Sequence, residues 1–161
     1  MLERVDLPRH WHTPLMALSL VIVSCLWFFH ATWASMEAIW DRSETFTHGY
    51  LVAPISLWLI WQHRQHYLGL RPRFSGWGAL AIVGCGLLWL VADLVQVLVI
   101  RQWAAVGMLI AGIWSILGTR VSLAMLFPLL FLFLMVPFGE EFIPWLMDYT
   151  ASFVRWQQCR P

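Results

Sequence analysis

Long apolar runs with little or no charge recur along the chain, each followed by a polar stretch that carries arginine. Residues 14–33 form a 20-residue run with no charged side chain and a single histidine, His30. Residues 45–62 give 18 consecutive positions without Asp, Glu, Lys or Arg. Residues 76–100 read as a third run, with Asp93 and Gln96 towards its end; residues 103–118 are a shorter fourth, and residues 121–138 a fifth with Pro128 inside. About 20 apolar residues in a helix cross a hydrocarbon core of roughly 30 Å, and only a helix or a closed barrel satisfies its own backbone there. The pattern predicts an all-α, polytopic helical membrane protein with about five transmembrane helices. Between the runs, residues 34–44 are expected as a loop and Arg101 and Arg120 as tight turns, while residues 63–75 connect the second and third runs with Arg64, Arg71 and Arg73 but no acid.

Residues 1–13 are a short polar tail. The first run is too long for a signal-peptide core and no Ala-x-Ala pattern follows it, so it reads as a retained helix. Residues 139–156 have a different period. Phe142, Trp145, Leu146, Tyr149, Phe153 and Trp156 recur three or four apart, while Glu140, Glu141, Asp148 and Ser152 fall elsewhere. This predicts an amphipathic helix, lying in the membrane interface or packing on the bundle.

The second run is the least ordinary. It opens with Thr45, Phe46, Thr47, His48 and Gly49, and it carries Pro54 and Ser56 at membrane depth. Pro54 predicts a kink or a loosened turn. Polar groups at that depth need partners within the protein and lean towards function. The competing reading is that residues 45–49 merely start a helix at the headgroup level.

Composition agrees with the pattern: 60% of the residues are hydrophobic and 12% charged, too few polar side chains to cover a soluble surface. All ten basic residues are arginine, scattered singly, so no nucleic-acid partner is implied. Their distribution predicts a cytoplasmic N-terminus, with Arg4, Arg9, Arg64, Arg71, Arg73 and Arg120 inside and Arg42, Arg101, Arg155 and Arg160 outside. The lipid bilayer is the first partner.

Few groups are candidates for chemistry. His48 stands next to Gly49, where a backbone could approach closely, and its imidazole could act as acid, base or hydrogen-bond donor; the alternative is a polar helix-start residue. Asp93 could pair with Arg101, which lowers the cost of an acid at depth. Cys25 and Cys85 lie in apolar runs and read as small buried hydrophobes. Cys159 has no scaffold to position it and is not nominated. His10, His12, His63 and His66 read as interfacial residues. No glycine-rich nucleotide pattern, HExxH, paired-acid motif or GxSxG occurs, and neither metal nor cofactor is expected.

Thr45-Phe46-Thr47-His48-Gly49, then Pro54-Ile55-Ser56, Trp61 and Arg64, resemble the N-terminal motif of the exosortases. Residues 127–133 followed by Met135-Val136-Pro137-Phe138-Gly139 are similar to that family's late-span signature, and the likeness extends over about residues 14–156, most of all to the exosortase A type of Gram-negative bacteria. The resemblance implies a multi-pass protein of the bacterial inner membrane that processes exported proteins bearing a PEP-CTERM C-terminal signal, often beside exopolysaccharide genes. It implies a cysteine transpeptidase or peptidase with an Arg and a His near the outer face. The family's nucleophile lies in an Ala-x-Cys-Ser-Gly segment, and no Cys-Ser-Gly occurs here. No catalytic residue carries over; His48, Gly49, Asp93 and Arg101 are expected to be substrate-pocket or structural residues. Residues 1–156 are expected to be the N-terminal transmembrane part of an exosortase-like domain, truncated before its catalytic residues, with residues 157–161 an atypical tail. The alternative is a non-catalytic membrane scaffold or a small transporter subunit.

Overall fold

Eight helices in chain order account for nearly all the described residues of the computed structural model, 9–137 and 143–158: α1 (Arg9–Phe28), α2 (His30–Arg42), α3 (Gly49–Gln62), α4 (Arg64–Leu68), α5 (Gly76–Leu94), α6 (Leu98–Ala124), α7 (Leu126–Phe131) and α8 (Ile143–Gln158). Two short 3-10 turns, Glu44–Phe46 and Leu132–Met135, complete the list, and no strand occurs among these residues. The all-helical expectation holds. Three helices are long and apolar enough to cross a membrane: residues 11–28 of α1, α5 and α6. The second and fifth expected crossings are shorter as helices: α3 has 14 residues, and the last apolar stretch is Leu126–Met135.

The hub is α6. Its buried face is built of small residues (Ala104, Ala105, Ala111, Gly112, Ser115), and this lets neighbouring backbones approach. The helix packs antiparallel on α5, and α1 lies along it. At one end Trp11, Tyr67, Leu117, Val121, Met125 and Leu129 form a buried cluster. At the other end Met36, Val52, Val106, Met135 and Val136 form a second. Outward-facing Leu80, Val83, Leu87, Val91 and Leu94 on α5 are exposed, as lipid-facing positions should be.

Four boundaries differ from the sequence expectation, each for a physical reason. Residues 34–42 are helix, not loop. Thr32, Met36 and Ile39 recur on one face and are buried, while Glu37 and Asp41 fall on the exposed side. The real break lies at Phe29, between α1 and α2. The polar tail also ends sooner than expected, because α1 begins at Arg9 and holds Pro14 within it.

The third run ends at Leu94 rather than Ile100. Gln96 takes a left-handed φ of 60°, its amide donates to the Asp93 carbonyl at 2.6 Å, and α6 starts at Leu98. Arg101 therefore sits on α6 and not in a turn. Finally, the fourth and fifth runs part at Gly118 rather than at Arg120. Gly118 has φ 80° and ψ 166°, and a Cβ there would meet the Arg73 carbonyl oxygen. The loop before α5 uses this gap: Arg73 N–H donates to Leu117 O at 3.3 Å and Ser75 N–H to Ser115 O at 2.9 Å. Carbonyls freed at the helix break thus find donors inside the protein. Pro54 lies within α3, which continues through it.

The expected amphipathic segment corresponds to α8, whose Leu146, Tyr149 and Phe153 are exposed. Phe142, Glu140 and Glu141 fall outside the described residues, as do Cys159 and Arg160.

Candidate functional site at the acidic end of the bundle

The bundle has two unlike ends. Arg64, Arg71, Arg73 and Arg120 belong to one, the arginine end. Glu37, Asp41, Glu44 and Asp93 belong to the other, the acidic end, where α2 meets α3 and where α5 turns into α6.

Trp40 organises the acidic end. Its indole N–H donates to the Met135 carbonyl at 3.0 Å, tying α2 to the turn that follows α7. The same ring lies against Gly49, where an added Cβ would stand 2.5 Å from two of its atoms. Gly49 is buried and starts α3, so a glycine is needed for α3 to enter the bundle against the indole. Tyr50 meets Trp40 edge-on, with ring centroids 5.0 Å apart, and its hydroxyl donates to Asp41 Oδ1 at 2.7 Å. Trp40, Asp41, Gly49, Tyr50 and Met135 thus make one interlocked wall.

His48 stands on this wall, exposed, at the N-cap position of α3. Its side chain does not cap the helix. Nδ1 instead lies 2.9 Å from the Thr45 carbonyl oxygen. A carbonyl only accepts, so Nδ1 carries the hydrogen, and the neutral ring offers Nε2 as acceptor or base. Thr47 Oγ1 donates to Ser43 O at 3.2 Å and secures the same loop. The threonines of the 45–49 motif therefore shape a loop that orients one imidazole.

Asp93 and Arg101 form the expected ion pair, at 2.6 Å across the α5–α6 turn. Their side chains are 39% and 22% exposed, respectively. Arg101 Nε is buried and finds no partner. The two candidate pairs sit on different elements: His48 and Gly49 at the α2–α3 wall, Asp93 and Arg101 at the α5–α6 turn.

Sequence reading passed over two residues that the structure makes prominent. Trp40 looked like one of twelve tryptophans; only its place in front of the 45–49 motif could have singled it out. Gln102 is fully buried, donates to Ser35 Oγ at 3.0 Å and leaves its own Oε1 without a partner. Nearby, Trp89 donates to Thr32 Oγ1 at 3.2 Å, so a polar seam joins α2, α5 and α6. Cys25 is buried, and the Cys85 sulfur packs over Gly107, 3.1 Å from where an added Cβ would stand. Both occupy packing positions within α1 and α5. No group of three or more His, Cys, Asp or Glu able to hold a metal occurs among the described residues.

A helical bundle with an apolar outer face, buried polar seams and unlike charged ends defines a multi-helix membrane protein. The chain belongs to the transmembrane exosortase family, whose family model matches residues 40–157. That match begins at Trp40, the residue that locks the acidic end. No curated protein and no solved structure matches the chain.

Proposed function

We propose that this chain contributes to processing exported proteins with a PEP-CTERM-type C-terminal signal in the bacterial inner membrane, and that its acidic end receives that signal. The observation that carries this reading is His48, exposed and hydrogen-bonded through Nδ1 to the Thr45 carbonyl, which leaves Nε2 as an acceptor or base. A motif that only started a helix would use its polar side chain on the helix's free N–H groups; His48 leaves them uncapped. Asp41, Tyr50 and the Asp93–Arg101 pair supply further polar groups at the same end.

In the topology we propose, five segments alternate across the membrane: α1, α3, α5, residues 98–117 of α6 and the stretch from residue 119 to 135. The N-terminus is cytoplasmic and the acidic end faces outward, following the arginine distribution.

Transpeptidation requires an activated thiolate, a proton-transfer group and an oxyanion donor. Cys25 and Cys85 are packing residues in α1 and α5, and no Cys-Ser-Gly segment occurs in residues 1–161. We therefore assign these residues signal binding and positioning, and expect no cleavage by residues 1–161 alone.

The test is a photo-crosslinking amino acid at position 48, expressed with an exported PEP-CTERM protein. The expected result is capture of that protein, lost when its C-terminal signal is deleted. Capture that ignores the deletion, or none at all, overturns the reading and favours a membrane scaffold or transporter subunit.

A further inference from the structure

A cavity of about 160 Å³ lies where the chain reverses after α6, lined by Ile110, Trp114, Thr119, Ser122, Leu126 and Leu129 among others. We propose that this groove at the arginine end binds one acyl chain of an anionic phospholipid, with the lipid phosphate held by Arg73 and Arg120.

The groove follows from the break at Gly118. Residues 98–117 of α6 run towards the arginine end, and α7 returns alongside them, so the break leaves a slot between the two. Ile110 lies seven residues before Leu117, roughly 10 Å deeper at 1.5 Å per helical residue. A slot of that length, running inward from an end of the bundle, has the direction of a lipid chain. It is reached from the side, because Leu123, Leu126 and Leu130 are exposed on the surface that faces lipid.

The lining selects an apolar filler. Buried water needs two to four polar partners. Thr119 Oγ1 is already engaged by the Trp114 indole at 3.1 Å and lies 3.4 Å from Ser75 Oγ. That leaves Ser122 Oγ, which is buried and has no hydrogen-bond partner. One free hydroxyl suits the ester carbonyl found just inside the phosphate of a phospholipid.

The mouth supplies the charge. Arg120 follows Thr119 directly, and the Arg73 backbone is fastened to Leu117 beside the break. Both arginines are exposed. Of the described acids, Glu37, Asp41, Glu44 and Asp93 belong to the opposite end, so none of these four competes with a phosphate for the two guanidinium groups. Arginine matches phosphate in bidentate geometry.

Native mass spectrometry of the purified chain, titrated with phosphatidylglycerol and with phosphatidylcholine, tests this. The expected result is one tightly retained phosphatidylglycerol, with phosphatidylcholine bound at least tenfold more weakly. The R73Q/R120Q variant and the groove-filling L126W variant should each weaken phosphatidylglycerol at least tenfold, while glycerol 3-phosphate should not compete. If L126W lowers the melting temperature, I110F fills the deeper part of the groove and serves in its place. Equal retention of the two lipids overturns the proposal. So does loss in the arginine variant with wild-type binding in the filled variant, which would leave only surface charge. Competition by glycerol 3-phosphate would reduce the site to a free-phosphate site.

Discussion

The Trp40 indole lies against the Cα of Gly49 while its N–H donates to Met135 O at 3.0 Å. One side chain therefore joins α2, the start of α3 and the turn after α7. Replacing Gly49 by alanine places a methyl where the ring already stands, and overpacking of this kind costs about 1–3 kcal/mol. The G49A variant should melt lower in detergent. In a W40A background the same change should cost almost nothing, because the space is then empty. Equal losses in both backgrounds would show that the two residues do not oppose each other.

Asp93 and Arg101 are each partly exposed, so their pairing contributes about 1 kcal/mol and not the larger figure of a fully buried pair. The D93N/R101Q double variant should lose less stability than the D93N and R101Q losses added together, because either single change already breaks the pair. A double-mutant cycle by thermal melting measures the coupling. A coupling of zero would make the 2.6 Å contact energetically idle.

Gly118 and Gly112 make a controlled comparison. A Cβ at Gly118 meets the Arg73 backbone and sits at a positive φ, whereas at Gly112 it meets only Val21 Cγ1, at 2.7 Å. A backbone neighbour cannot rotate away, and a left-handed conformation alone costs about 1–3 kcal/mol for other residues. G118A should sharply lower the yield of folded protein in membranes, and G112A should lower it much less. The reverse order, read by size-exclusion profile and melting, would contradict the role given to the break.

The two ends of the bundle should report on opposite sides of the membrane. Reporter fusions after Arg73 should give cytoplasmic enzyme activity, and fusions after Glu44 periplasmic activity. Of the five proposed crossings only α3 lies between these positions, and its 14 residues span about 21 Å at 1.5 Å each. Both fusions reporting on one side would falsify the alternating five-segment arrangement.

The family was legible before any coordinates, because residues 45–49, 54–56 and 127–139 keep their order and spacing within uncharged runs. The helical class was legible for a simpler reason: chains this apolar must satisfy their backbone internally. The Asp93–Arg101 pair could also be read, since an acid and an arginine eight positions apart flanked the end of a run.

Other features depended on contacts that one-dimensional pattern does not carry. Residues 34–42 looked like a loop because Glu37, Asp41 and Arg42 are charged, yet Thr32, Met36 and Ile39 bury one face against neighbours far along the chain. Gly118 looked like the end of a run; the Arg73 carbonyl beside it explains why the break falls there and why no other residue fits. His48 and Gly49 were visible as a motif, but Trp40 was not visible as their partner. The sequence by itself determined the class, the family and the apolar segments, because burial in lipid is a property of each segment's own composition. Only the tertiary structure decided where helices break and what His48 and Gly49 do, because those depend on close approaches between residues distant in the chain.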